Sequence, residues 1–236
     1  MKHKKGLILA SLVTIFAMSL GLVYFFSFDD QEANVGQTEL PTFINIDLDV
    51  KSANVKIVEG DGFTINYSLH GRETIKELKV EDDTLIFDTG IDFFFKPSFG
   101  NWFVEITVPH GYELNEIELN STAGQIELKD RVFNSADLST TAGQIIVENV
   151  VCNDLDLETV SEKIVLLESD ISEGVEAKSV SGYIEISMPA STITAESIGG
   201  VNVDGIDQGY KYELSIGYPS LKAKSVSGKI IITTAE

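Results

Sequence analysis

The chain has 236 residues, 43% of them hydrophobic, with 17 Lys and Arg against 37 Asp and Glu. A formal net charge of −20 argues against nucleic acid as a partner, because phosphate binding needs clustered cations. A single cysteine, Cys152, excludes an intrachain disulfide and a cysteine-based zinc site. Only two arginines, Arg72 and Arg131, are present for bidentate clamps.

Met1 to Lys5 reads Met-Lys-His-Lys-Lys, and Gly6 to Phe28 follows without a charge. A helix of that length crosses about 30 Å of hydrocarbon. Tyr24, Phe25, Phe26 and Phe28 gather at its far end, where aromatic rings suit a membrane interface, and Asp29, Asp30 and Glu32 come next. Lysines before and acids after predict a cytoplasmic N-terminus. A cleaved signal peptide would end in small residues; this run ends in Phe-Phe-Ser-Phe-Asp-Asp, so a retained anchor is expected. The expected division is a cytoplasmic tail over 1–5, a transmembrane anchor over 6–28, a spacer over 29–40 and an exported β-repeat domain over 41–236. That places a single-pass protein in the cell membrane, its C-terminal domain extracytoplasmic. Without the three N-terminal lysines, the rest carries 14 basic residues against 37 acidic.

Beyond the spacer, Ile44, Ile46, Leu48 and Val50 alternate with Asn45, Asp47 and Asp49, the period-2 pattern of a half-buried strand. No long segment has helical spacing. Phe93, Phe94, Phe95, Phe99, Trp102 and Phe103 form the one aromatic concentration, interrupted by Lys96, Pro97 and Gly100. Trp102, Val104, Ile106 and Val108 alternate with Phe103, Glu105 and Thr107, so Trp102 is expected to face inward. Phe94 and Phe99 are left as a possible contact for a partner protein or lipid; a cap over the strand stack is the structural alternative.

From Ser121 onward a hexamer recurs. Ser-Thr-Ala-Gly-Gln-Ile at 121–126 returns as Thr-Thr-Ala-Gly-Gln-Ile at 140–145, with relatives starting at Thr159, Ser179, Ser197 and Ser225. The start-to-start spacings are 19, 19, 20, 18 and 28, the last containing an insertion around Gly209 to Pro219. The corner residues are the hydroxyls Ser121, Thr140, Thr159, Ser179, Ser197 and Ser225, then Gly124, Gly143, Glu162, Gly182, Gly200 and Gly228 three positions on. Steps of two put Leu119, Leu138, Leu157, Ala177, Ala195 and Ala223 on the same face as the hydroxyls. The opposite face carries Glu118, Asp137, Asp156, Glu176 and Lys222. Each hydroxyl is expected to bond a neighbouring backbone or hydroxyl across the stack. Each Gly is expected to supply either φ > 0 or a close approach. An earlier copy is expected at Leu48, Val50, Ser52, Asn54 and Ile57, with Val55 at the Gly position. So short a unit cannot bury its own apolar face, and copies must stack. The expected fold is an all-β, single-chain β-solenoid (β-helix-like) of about 19-residue rungs, preceded by one N-terminal transmembrane helix.

The Ser-Val-Ser-Gly-x-Ile repeat, the opening Asp-Leu-Asp-Val-Lys-Ser-Ala-Asn-Val-Lys-Ile and the single N-terminal anchor resemble the putative-adhesin, LiaG-like family of bacterial envelope proteins over about residues 40–235. The resemblance implies an exported β-strand-repeat domain, often linked to cell-envelope stress systems, with no catalytic residues to transfer. Glu162 and the insertion depart from the simple repeat.

Chemistry-bearing residues are sparse. His70 and His110 sit beside turn residues, and Cys152 reads as a small buried hydrophobe. No catalytic residue, cofactor-binding residue or metal ligand is assigned, and no cofactor is expected. Calcium is conceivable where acids on adjacent strands converge, yet no Asp-x-Asp-x-Asp-Gly loop or Gly-Gly-x-Gly-x-Asp repeat appears. The expected function is a non-enzymatic, membrane-anchored envelope module acting in protein binding, adhesion or stress signalling. Its partners are the membrane through residues 6–28 and an envelope protein, with no nucleic acid. The alternatives are a carbohydrate-active β-helix enzyme on envelope polysaccharide, whose rungs would carry more cations near paired acids, and a calcium-bridged adhesin.

Overall fold

The computed structural model describes residues 33–91, 101–189, 192–215 and 217–234. Ala33–Glu236 forms one compact unit. The apolar segment 6–28, expected as an anchor, lies outside the described residues. Among the described residues no helix is long and apolar enough to cross a membrane.

All described elements are strands. They are β1 (Asn34–Glu39), β2 (Asn45–Val50), β3 (Asn54–Gly60), β4 (Thr64–Leu69), β5 (Glu73–Glu81), β6 (Thr84–Ile91), β7 (Phe103–Pro109), β8 (Leu114–Ser121) and β9 (Ile126–Thr140). There follow β10 (Ile145–Thr159), β11 (Ile164–Leu167), β12 (Asp170–Ser179), β13 (Ile184–Ser187), β14 (Thr192–Val203), β15 (Ile206–Ser215), β16 (Ser220–Ser225) and β17 (Ile230–Thr233).

Alternation dictates the inner surface. Phe87, Leu48, Leu119, Leu138, Leu157, Ala177, Ala223 and Ala195 pair strand to strand in register, and all are buried. A second ladder runs Val104, Val55, Ile126, Ile145, Ile164, Ile184, Ile230, Val201, also buried. Burying one such large aliphatic side chain is worth roughly 1.5–3 kcal/mol, so each repeat adds stability only when its neighbours cover it.

The expected β-solenoid of stacked rungs of about 19 residues is overturned by how the strands pair. β10, β12, β16, β14, β17, β13 and β11 form a ring that returns to β10, and every pair in it is parallel. The core is thus a closed seven-stranded parallel barrel with the other strands outside it. Parallel strands β9, β8, β3, β2, β6 and β7 extend it from β10. Antiparallel strands finish the sheet: β5 on β6, β4 on β7, β1 on β4, and β15 on β14.

Two long strands bend to close the ring. The first part of β10 pairs with β11 and the second with β12; between them Asn149 has φ 52°. β14 pairs with β16 and then β17, turning at Gly200, φ 98°. A single left-handed residue redirects a strand in this way, and Asn tolerates that conformation better than most residues. Strand order also departs from chain order, because β16 and β17 lie between β12, β13 and β14. The insertion around Gly209 to Pro219 includes most of β15, antiparallel to β14.

The earliest copy is shifted by two residues from its expected alignment. Val50, not Ser52, pairs with Ser121, and Val55 pairs with Ile126. Glu73 is buried beside this turn. Its carboxylate accepts from the Lys51 amide at 2.9 Å, the Ser52 hydroxyl at 2.7 Å and the Thr89 hydroxyl at 2.6 Å. A buried carboxylate persists only with such compensation.

Candidate functional site

The repeat corners are built from hydroxyls and glycines. Ser121, Thr140, Thr159, Ser179, Ser197 and Ser225 are all buried. The amides of Gly124, Gly143, Gly182 and Gly228 donate to Ser121, Thr140, Ser179 and Ser225 at 2.9, 3.1, 2.7 and 2.9 Å. The Thr140 and Thr159 hydroxyls donate onward to the carbonyls of Gly124 and Gly143 at 3.3 and 3.2 Å. Ser225 does the same to Gly182 at 3.4 Å, and Ser197 donates to Gly228. Thr140 and Ser225 therefore each tie their own corner to a neighbouring copy.

None of these four glycines needs a left-handed φ; they supply room. A Cβ at Gly124 would lie 1.8 Å from the Ala53 carbonyl oxygen, and one at Gly143 1.8 Å from that of Gly124. Gly182 and Gly228 are equally tight, 1.7 Å from the oxygens of Glu162 and Gly182. Gly200 differs. It is the bend of β14, and Gly199 instead faces the Gly228 carbonyl, 2.6 Å from a Cβ built there. These residues hold the fold and present nothing to a ligand. Phe94 and Phe99 lie outside the described residues. Trp102 is half-buried and meets His70 edge-on at 5.6 Å.

A second corner was not read from the sequence. Asp130, Asn149 and Glu168 have φ of 52°, 52° and 50° and recur every 19 residues. The signal was available, since Asp and Asn at the repeat spacing favour left-handed turns. The Asn149 amide donates to Asp130 at 2.6 Å, bridging two copies.

The two outer faces differ in how closely lysines match their acids. On one, Asp47, Glu118, Asp137, Asp156 and Glu176 stand in register on adjacent strands, and Glu176 and Asp156 share Lys178, at 3.1 and 3.8 Å. Burial, then neighbouring carboxylates, pushes the Asp47 and Asp137 carboxyls above their ordinary value. Burial also raises Asp156, against the pull of Lys178 at 3.8 Å. On the other face the acids are matched by lysines: Lys56 with Glu105 at 2.5 Å, Lys129 with Glu148 at 3.1 Å, and Lys163 with Glu185 at 2.6 Å. A groove of about 490 Å³ opens here across β4, β7, β3 and the start of β9. Its lining includes Asn54, Asn66, Asn101, Gln125, Phe103 and Lys56.

Other reactive groups are committed to the fold. Burial first, then Asp154 and Asp170, pushes the Cys152 thiol up to about 12, so it stays protonated and unreactive at neutral pH. Glu59 accepts from the Gly111 amide at 3.1 Å, contacts His110 at 2.8 Å and pairs with buried Arg131 at 3.3 Å. His110, then the Gly111 amide, holds the Glu59 carboxyl below its ordinary value. Among the described residues no group of three or more His, Cys, Asp or Glu is placed to hold a metal ion.

Residues 105–205 match the Toastrack DUF4097 family. No curated protein matches the chain. Among solved structures, a putative cell adhesion protein from Clostridium sporogenes shares 14% identity, with a TM-score of 0.49 over 86% of this chain and 98% of that one. A putative adhesin from Bacteroides fragilis shares 15%, with a TM-score of 0.48 over 86% and 96%. A putative lipid binding protein from Parabacteroides distasonis shares 14%, with a TM-score of 0.37 over 88% and 96%.

Proposed function

We propose that this chain, with a match to the Toastrack family over residues 105–205, is a non-enzymatic binding module that presents its outer faces to a partner at the cell envelope. The observation that carries this reading is the in-register display. One outward position repeats on five adjacent strands as Asp47, Glu118, Asp137, Asp156 and Glu176, a surface suited to an extended partner rather than to enclosing a reacting bond. The corner hydroxyls of Thr140 and Thr159 are occupied by backbone bonds.

The N-terminal apolar segment 6–28 would hold the module at the membrane, with its acidic domain outside. Protease added to intact spheroplasts should then digest the chain beyond about residue 30; protection of the whole domain overturns that placement. For the module itself, the test is crosslinking of the full chain in cells, joined to an assay for cleavage of cell-wall polymers. One defined envelope partner and no turnover support the reading. Turnover abolished by a single substitution such as Asp156→Asn refutes it.

A further inference from the structure

We propose that the groove across β4, β7, β3 and β9 is a binding site for a neutral oligosaccharide. This deepens the reading of the chain as a binding module and rests on it. The argument begins with hydrogen-bonding capacity. Four carboxamides, Asn54, Asn66, Asn101 and Gln125, converge on one groove. A carboxamide carries two donors and an acceptor, which matches the adjacent donor and acceptor hydroxyls of a sugar ring.

Much of that capacity is unspent. Asn54 uses its carbonyl oxygen to accept from the Gln125 amide at 2.9 Å, which leaves its NH₂ group to donate. Gln125 uses its NH₂ group on Glu127 at 3.2 Å, which leaves its carbonyl oxygen to accept. The Asn66 and Asn101 side chains have no hydrogen-bond partner among the described residues. Asn66 lies beside Glu105, Glu105 beside Lys56, and Lys56 beside Glu127 on successive strands. Asn66, Glu105, Lys56 and Glu127 thus form one row across the strands, and Asn54 and Phe103, paired two residues along, form the next.

Charge selects the ligand class. Glu105 is neutralised by Lys56 at 2.5 Å, and Glu127 has Lys129 at 3.9 Å. Lys129 lies nearer Glu148, at 3.1 Å, so the groove offers no uncompensated cation for an acidic glycan, and its remaining acid, Glu127, accepts from the Gln125 side chain. The opposite face, with its raised aspartates, would repel anions. Phe103, paired with Asn54 on β3, adds an apolar surface to the lining, against which the C–H face of a sugar packs. A volume of about 490 Å³ lies within the roughly 300–1,000 Å³ of small-molecule sites and suits a short oligosaccharide.

The test uses the full chain in a detergent without a sugar headgroup, titrated with maltotriose, cellotriose and chitotriose, and with trigalacturonate as the anionic control. Calorimetry reads affinity, and saturation-transfer NMR reads which sugar protons touch the protein. At least one neutral trisaccharide should bind saturably and trigalacturonate should not. The double variant Asn66→Ala/Asn101→Ala should weaken binding about tenfold or more, a loss of about 1.4 kcal/mol or more, with its melting temperature unchanged. Asp137→Asn on the opposite face should leave binding intact. Absence of binding by all three neutral sugars, equal binding by the double variant, or equal binding of trigalacturonate overturns the proposal. Crosslinking to the envelope partner separates the two readings: if it survives while sugar binding fails, the groove assignment falls and the module reading stands.

Discussion

Gly143→Ala probes the corner directly. The added Cβ would sit 1.8 Å from the Gly124 carbonyl oxygen, 2.6 Å from its carbon and 2.7 Å from the Thr140 hydroxyl. Two of those atoms are backbone of the turn between β8 and β9, held by the strands on either side, so they cannot swing away and the stacked turns must part locally. Overpacking of this kind costs about 1–3 kcal/mol. Parting the corner also strains the Gly143-to-Thr140 bond at 3.1 Å and the Thr140-to-Gly124 bond at 3.3 Å, each worth about 0.5–1.5 kcal/mol net. The expected loss is about 2–5 kcal/mol. At roughly 2–4 °C per kcal/mol for a chain of this size, the melting temperature should fall by about 4–20 °C. Gly62→Ala is the control: nothing lies within 4 Å of its Cβ position and its φ is not left-handed. Thermal unfolding by circular dichroism at 218 nm, the ordinary strand wavelength, reads both variants. A Gly143→Ala chain melting within about 1 °C of the parent would refute the idea that these glycines are required for room.

Thr140→Val should cost about 1–3 kcal/mol by stranding the buried Gly143 amide, whereas Thr140→Ser should restore most of it; urea titration distinguishes them. Ile145→Asp or Ile164→Asp would bury an unpaired charge on the inner ladder, costing several kcal/mol, and a chain melting within a degree or two of the parent would contradict that register. The acidic face should respond to pH with a definite sign. Asp137 and Asp156 have folded-state values above the ordinary 3.8, so the folded state binds their protons more tightly. The resulting stability is complete below about 3.8 and is lost as pH rises through the raised values. Asp137→Asn and Asp156→Asn should therefore raise the melting temperature at pH 7, with the gain fading on acidification towards 3.8; a gain unchanged with pH contradicts this. Glu59 has the opposite sign. Its depressed value contributes stability above the ordinary value of 4.5 that is lost as pH falls through the folded one, so Glu59→Gln should reduce the acid sensitivity of melting.

Local patterning was legible because its physics acts over a few residues. Alternation across two positions settles which side chains face inward, and it placed Leu138, Leu157, Ile145 and Ile164 in the core. The hydroxyl three residues before each glycine marked the corners, since that spacing lets one side chain reach one amide. Only the tertiary structure decided which copies touch. Val175, Leu221 and Ile193 offer the same apolar contact in the same register, so alternation alone cannot tell that β16 lies between β12 and β14. Ring closure was equally hidden, because it depends on single left-handed residues, Asn149 and Gly200, that leave the alternation on either side intact. Glu73 was invisible for a related reason: its carboxylate reaches the Lys51 amide from 22 residues away, and nothing near it repeats. The amide groove came last, since Asn54, Asn66, Asn101 and Gln125 are scattered along the chain and converge only because parallel pairing sets β9, β3 and β7 side by side, with β4 antiparallel beyond them.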